Sequence, residues 1–164
     1  MSRLVFEAMS FARQIHKDQV RKYTGNPYVD HLAEVAGITA ASTFADGPIH
    51  LATAWLHDCM EDQAVPYEQL KREFGSPVAN GVRWLSDLET GNRAERKAAS
   101  RVRLAQAPGS VQTIKCADLI SNTSSIVMHD PKFAKVYLAE KRALLEVMTK
   151  ADPRLRQLAL ELSS

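Results

Sequence analysis

Nine consecutive residues, Ala54-Trp55-Leu56-His57-Asp58-Cys59-Met60-Glu61-Asp62, put four groups able to ligate a metal or move a proton inside an apolar helical run. Read as one helix, Leu51, Ala52, Trp55, Leu56 and Cys59 form a buried stripe. Asp58 and Asp62 lie one turn apart on its flank, with His57 and Glu61 one turn apart beyond them. A carboxylate at the edge of a core is costly unless it is neutralised or paired with a cation, so the pattern calls for something positive. His57 and Asp58 offer an imidazole nitrogen and a carboxylate oxygen, a mixed set suited to Mn, Fe, Zn or a similar divalent ion. One His-Asp dipeptide says little. Two further residues add weight: His31, expected early in the preceding helix, and Asp118, in a segment too apolar to hold an unpaired charge. Four ligands from three helices would converge at the centre of a helical bundle.

Other polar residues fall in register with these ligands. Glu61 and Asp62 should face the same cavity, where a carboxylate can orient a water, take its proton or later protonate a leaving group. The alternative, a pair of surface acids at a helix C-terminus, is disfavoured by the helix dipole. Asn122 lies one turn after Asp118 and Lys115 one turn before it. Arg21 and Lys22 sit in the loop leading toward His31, placed to meet a polyanion. Arg93, Lys97 and Arg101 form an i, i+4, i+8 row that reads by itself as a solvated helix face.

The elements that must hold these residues are all helical, because 3.6-residue periodicity dominates and β-branched runs are short. A first helix is expected from Arg3 to His16, and Thr24-Gly25-Asn26-Pro27 then forms a loop. Asp30 reads as the N-cap of a helix reaching about Phe44. Asp46-Gly47-Pro48 ends that helix and begins the one carrying His57 and Asp58. Pro66 opens a short helix to Phe74, Gly75 stops it, and Ser76-Pro77 starts the next, which ends near Leu85. A basic helix spans Arg93 to Gln106. Val111 to about Ser125 is apolar on nearly all sides, the pattern of a central buried helix. Two more, Pro131 to Met148 and Pro153 to Leu162, complete the bundle.

Composition narrows the functional classes. The 164 residues suit one domain with room for a substantial core. A hydrophobic content of 45% and a net charge of +2 fit a soluble globular protein and supply no electrostatic case for a nucleic-acid partner. No apolar stretch is long enough to span a membrane, and Met1 to Glu7 lack the apolar core of a secretion signal, so a cytoplasmic protein is expected. Cys59 and Cys116 form no CxxC unit and read as small buried core thiols.

The ordered series Gln19-Val20-Arg21-Lys22, Pro27-Tyr28-Val29-Asp30-His31, Ala54 to Asp62, Phe74-Gly75, and Ile114-Lys115-Cys116-Ala117-Asp118 with Asn122 resembles the HD-superfamily alarmone hydrolases. These comprise the hydrolase half of RelA/SpoT enzymes and the stand-alone small alarmone hydrolases, including the Mesh1 type. Glu95-Arg96-Lys97 leading to Gln106-Ala107-Pro108 looks like the stand-alone form. The resemblance implies an all-α HD fold, one HD-type domain over residues 1–164, and a Mn²⁺ ion held by His31, His57, Asp58 and Asp118. It implies removal of the 3′-pyrophosphate from guanosine 3′,5′-bis(diphosphate)-type nucleotides, giving GDP or GTP and pyrophosphate.

By the same resemblance Glu61 and Asp62 match the acidic pair that handles the attacking water, and Arg21, Lys22 and Asn122 match substrate-contacting positions. Tyr137 resembles a late tyrosine near the nucleotide, and Lys97 and Lys115 join the expected phosphate contacts. Two positions depart from the pattern: Leu119 and Ser124 stand where relatives commonly carry cations, which points to relaxed selection that also admits adenosine analogues. The competing readings are an HD phosphohydrolase acting on a nucleoside monophosphate or NADPH, and a non-catalytic nucleotide sensor. The partner in each case is a small nucleotide.

Overall fold

A computed structural model describes residues 1–45 and 47–164. Asp46, read from sequence as part of a helix stop, lies outside the described residues. Among the described residues ten helices follow in chain order: α1 (Arg3–Ile15), α2 (Val29–Ala40), α3 (Pro48–Leu56), α4 (Cys59–Gln63), α5 (Tyr67–Phe74), α6 (Ser76–Leu85), α7 (Arg93–Gln106), α8 (Gly109–His129), α9 (Pro131–Val147) and α10 (Pro153–Glu161). Among the described residues the only extended pairing is an isolated antiparallel bridge, Val20 with Pro27, which closes the loop between α1 and α2. The expected all-α bundle is the fold observed.

Local chemistry sets the helix ends. The Ser2 side chain accepts from the Val5 amide, and Asn92 and Glu95 form a reciprocal capping box on α7. Asp130 and Asp152 cap α9 and α10, each followed by a proline in the first turn, where its missing N–H costs nothing. Gly75, at φ 87°, turns the chain between α5 and α6 in a conformation that a side chain would strain. At 21 residues, α8 is the longest helix, and it packs against α2, α3, α6, α9 and α10. Its buried residues include Val111, Ile114, Cys116, Ala117 and Leu119 on more than one side, as expected of a central helix. Gly81 lets α6 lie close to α3, because a Cβ there would come within 2.7 Å of Thr53 Cγ2.

Several expectations need correction. The helix carrying His57 and Asp58 is not continuous: α3 ends at Leu56, His57 and Asp58 form a turn, and α4 begins at Cys59. The one-turn relation between Asp58 and Asp62 survives as the Asp62 amide donating to the Asp58 carbonyl at 2.8 Å. Glu61 and Asp62 thus lie within the single turn of α4, and not at the C-terminus of a longer helix. Asp30 lies inside the first turn of α2, whose N-cap is Tyr28, and α2 stops at Ala40, short of Phe44. The central helix starts two residues before Val111 and runs on to His129, since its last turns face α9. Cys59 and Cys116 are buried free thiols.

Candidate active site

Three elements bring the metal-type residues together: α2 supplies His31, the turn between α3 and α4 supplies His57 and Asp58, and the middle of α8 supplies Asp118. Both histidines are buried and Asp118 is only 6% exposed. One donor atom from each of His31, His57 and Asp118 lies within 4.8 Å of the others. His31 Nε2 is 3.2 Å from Asp118 Oδ1 and 3.5 Å from Asp58 Oδ2. His57 Nε2 is 2.9 Å from Asp58 Oδ2 and 3.6 Å from Asp118 Oδ1. The four residues singled out in the sequence therefore meet.

The far side of each ring is already engaged. His57 Nδ1 lies 2.8 Å from the Ala54 carbonyl oxygen, and His31 Nδ1 lies 2.8 Å from Ser121 Oγ. A carbonyl only accepts, so the hydrogen of a neutral His57 belongs on Nδ1 and its Nε2 carries a lone pair. Both Nε2 atoms are buried without a hydrogen bond, because the nearby carboxylate oxygens lie off the direction a ring N–H would take. Two such nitrogens and two carboxylates aimed at one point fit a divalent cation of mixed N/O preference. The carboxylates are steadied from behind. Tyr28 donates its hydroxyl to Asp58 Oδ2 at 2.7 Å, while Lys115 Nζ and Asn122 Nδ2 reach the two Asp118 oxygens at 2.7 and 2.8 Å.

The electrostatics match this geometry. Burial opposes charge on His31 and His57, yet the Asp58 and Asp118 carboxylates outweigh it and raise both imidazoles. Burial likewise disfavours ionised Asp118, but Lys115 and the two histidines hold its carboxyl well below the usual range. Lys115 is raised despite burial because Asp118 and Asp87 face it. Without a metal ion, protons on the two imidazoles offset the charge of the two carboxylates.

Glu61 and Asp62 line a cavity of about 210 Å³ together with Asp58, Asp118, Lys115 and Tyr137. Glu61 Oε1 accepts the Asp87 amide at 2.6 Å, and Asp62 Oδ2 accepts from the Gln19 side chain at 2.9 Å. Gln19 is held in turn by Gln63, which donates to its Oε1 at 2.7 Å, and by His16 Nδ1, 2.6 Å from the same oxygen. Enclosure pushes the Glu61 carboxyl up to about 7; the Asp87 amide pulls against this, and the Asp87 charge adds to it.

The expected substrate contacts divide between two adjoining hollows. Lys97, Lys115, Asn122 and Tyr137 line the main cavity. Arg21 and Lys22 line a second, which shares Tyr28 and Asn122 with the first. Arg21 donates to Asn122 Oδ1 at 2.8 Å, and exposed Lys22 lies over the Tyr23 ring, 5.0 Å from its centroid. Lys97 is tied to Asp87 at 3.5 Å and Arg93 to Glu140 at 2.7 Å, so two of the three residues of the basic row of α7 have acidic partners, and the row is not a purely solvated face. Leu119 is buried in the main cavity wall, whereas Ser124 is exposed and lines neither hollow. Of the two departures, only position 119 bears directly on the cavity.

Compared with known proteins, residues 8–164 match the family model described as the HD domain. The chain belongs to the HD-domain family. Its similarity runs to the MESH1 branch. It is 32% identical over 133 residues to the Xenopus tropicalis guanosine-3′,5′-bis(diphosphate) 3′-pyrophosphohydrolase MESH1, covering 79% of this chain and 73% of that protein. The human MESH1 is 33% identical over 122 residues, covering 72% and 66%. A solved structure described as a metazoan ortholog of SpoT that hydrolyses ppGpp superposes with a TM-score of 0.88 at 24% identity, over 98% of this chain and 93% of that one. Membership of the HD family implies a divalent metal, and His31, His57 and Asp118 form its candidate site. No helix among the described residues is long and apolar enough to cross a membrane.

Several residues that frame this HD site escaped the sequence reading. Gln19 and Tyr28 stand inside recognisable segments but carried no assigned role. Ser121, Asp87 and Lys141 gave no signal, because each matters only through a partner on another helix.

Proposed function

We propose that this chain is a divalent-metal hydrolase of guanosine 3′,5′-bis(diphosphate)-type alarmones, removing the 3′-pyrophosphate to leave GDP or GTP, with Mn²⁺ as its metal. The observation that carries this reading is the convergence of two unpartnered buried imidazole nitrogens and two carboxylates on one point beside an acidic pair and a ring of cations. His31, His57, Asp58 and Asp118 would hold the ion. Bound there, it supplies Lewis acidity toward a phosphoryl oxygen and makes water a stronger nucleophile.

The chain's own residues do the rest. Glu61, fixed through the Asp87 amide and titrating near neutrality, takes a proton from the attacking water. Water oxygen bonds to phosphorus, the bond from phosphorus to the 3′ oxygen breaks, and Glu61 or Asp62 returns a proton to the departing 3′ oxygen. Asp62 is kept in place by Gln19. Arg21, Lys22, Lys97 and Asn122 orient the phosphates, and Tyr137 flanks the nucleotide. The Leu119 side chain itself offers no polar contact to a base or phosphate, which favours acceptance of adenosine analogues as well.

Chromatography of products from a panel of guanosine and adenosine 3′-pyrophosphates, nucleoside monophosphates and NADPH tests the reading. Nucleoside 5′-diphosphate and pyrophosphate in equal amounts are expected from the guanosine alarmone. Phosphate release from NADPH or a monophosphate instead would overturn it, and binding without turnover would make the protein a sensor.

A further inference from the structure

We propose that Lys141 is a binding residue for the substrate's second phosphate arm, the one not being cleaved, and that Arg101 faces the same arm from α7. The proposal rests on reading the cavity as a nucleotide polyphosphate site. Lys141 lies on α9, is only 2% exposed, and lines the main cavity together with Arg101, Leu119 and Tyr137. Its Nζ donates to Thr123 Oγ1 at 2.7 Å, and that hydroxyl donates onward to the Leu119 carbonyl at 2.5 Å. An ammonium has three hydrogens to place, so two remain for a ligand.

The nearby carboxylates are committed elsewhere. Glu140, next to Lys141, is bound by Arg93 at 2.7 Å. Lys115 takes Asp118 at 2.7 Å and Lys97 takes Asp87 at 3.5 Å. Among the described residues, no carboxylate lies within 4.0 Å of Lys141 or Arg101. A buried ammonium without a counter-charge is destabilising, so this position favours a bound anion strongly. Its pKa, held down to about 8 by burial, has the direction expected of such a group.

Position suits the uncleaved arm. Thr123 lies five residues beyond Asp118, roughly 7.5 Å along α8. A phosphate at Lys141 is therefore displaced from the one at the histidine–aspartate cluster, as the two arms of a nucleoside bis(diphosphate) are. It also places a cation beside Leu119, a position that itself carries none.

Steady-state kinetics of the metal-loaded protein with Lys141→Met and Lys141→Arg decide the matter. Two substrates are compared: the guanosine 3′,5′-bis(diphosphate) and its analogue lacking the 5′ phosphates. Lys141→Met should raise KM for the first about tenfold or more with kcat changed less than about threefold, leave KM for the analogue unaltered, and be partly rescued by arginine. An unchanged KM, or equal losses on both substrates, would overturn the proposal while leaving the hydrolase reading intact. If the unmodified protein turns over neither substrate, the hydrolase reading fails. Calorimetric binding of inorganic tripolyphosphate then decides for Lys141: weaker binding by Lys141→Met supports the proposal, and equal binding overturns it.

Discussion

Replacing Lys141 with methionine should stabilise the protein. The side chain is nearly sealed from water, and burial lowers its pKa from 10.5 to about 8. That difference corresponds to roughly 3 kcal/mol of unfavourable charge burial in the folded state. Methionine has similar reach without the charge and would lie among Leu144 and Leu145 of the same helix. It forfeits the hydrogen bond to Thr123, worth about 1 kcal/mol, while the Thr123 hydroxyl keeps its bond to Leu119. The net gain is about 2 kcal/mol, or a rise in Tm of about 4–8 °C for a chain of this length.

The pH dependence carries a definite sign. The folded protein binds the Lys141 proton more weakly than the unfolded chain, so the destabilisation is complete below about pH 8 and fades as pH rises toward 10.5. Across that window the unmodified protein should gain stability relative to Lys141→Met. Differential scanning calorimetry of both proteins at pH 7 and pH 10, in metal-free buffer without phosphate, measures this. A Lys141→Met protein that is less stable than the parent at pH 7, or a difference that does not shrink by pH 10, would refute the reasoning.

Three further outcomes test the site. Glu61→Gln and Asp62→Asn should retain the fold and most of the metal while slowing kcat by roughly 10²- to 10⁴-fold. With Glu61 as proton acceptor, kcat should rise with pH through about 7, and this rise should vanish in Glu61→Gln; near-normal turnover would assign the acids to structure. Tyr28→Phe removes the hydroxyl bound to Asp58 and should weaken metal affinity roughly 10- to 100-fold by calorimetric titration, whereas unchanged affinity would show that Asp58 needs no support from behind. Asp118→Ala should abolish metal-dependent thermal stabilisation altogether, and a Tm that still climbs with added Mn²⁺ would place the ion elsewhere.

The helices could be read from the sequence because apolar spacing and end signals act locally. The basic helix expected at roughly Arg93 to Gln106 occupies Arg93–Gln106, started by the capping box of Asn92 and Glu95. The break at His57 and Asp58 could not be read, because the residues around it form a continuous apolar helical pattern. In the folded chain the turn brings His57 Nε2 within 3.6 Å of Asp118 Oδ1 while its Nδ1 meets the Ala54 carbonyl. The ligands were readable because a histidine or aspartate in an apolar helix is anomalous in one dimension. Their supports were not: Tyr28 meets Asp58 across 30 residues, Gln19 meets Asp62 across 43, and His31 meets Ser121 across 90. Lys141 in the series Glu140-Lys141-Arg142 looks like one more solvated lysine until α7 and α8 are packed against it.

The most direct measurement incubates metal-stripped protein with guanosine 3′,5′-bis(diphosphate), restores Mn²⁺ stepwise, and follows both products. GDP and pyrophosphate should appear in equal amounts, at a rate that saturates at one ion per chain for the parent and stays near zero for His57→Ala. Full turnover in excess chelator, or release of single phosphates with no pyrophosphate, would contradict a hydrolase built on His31, His57, Asp58 and Asp118.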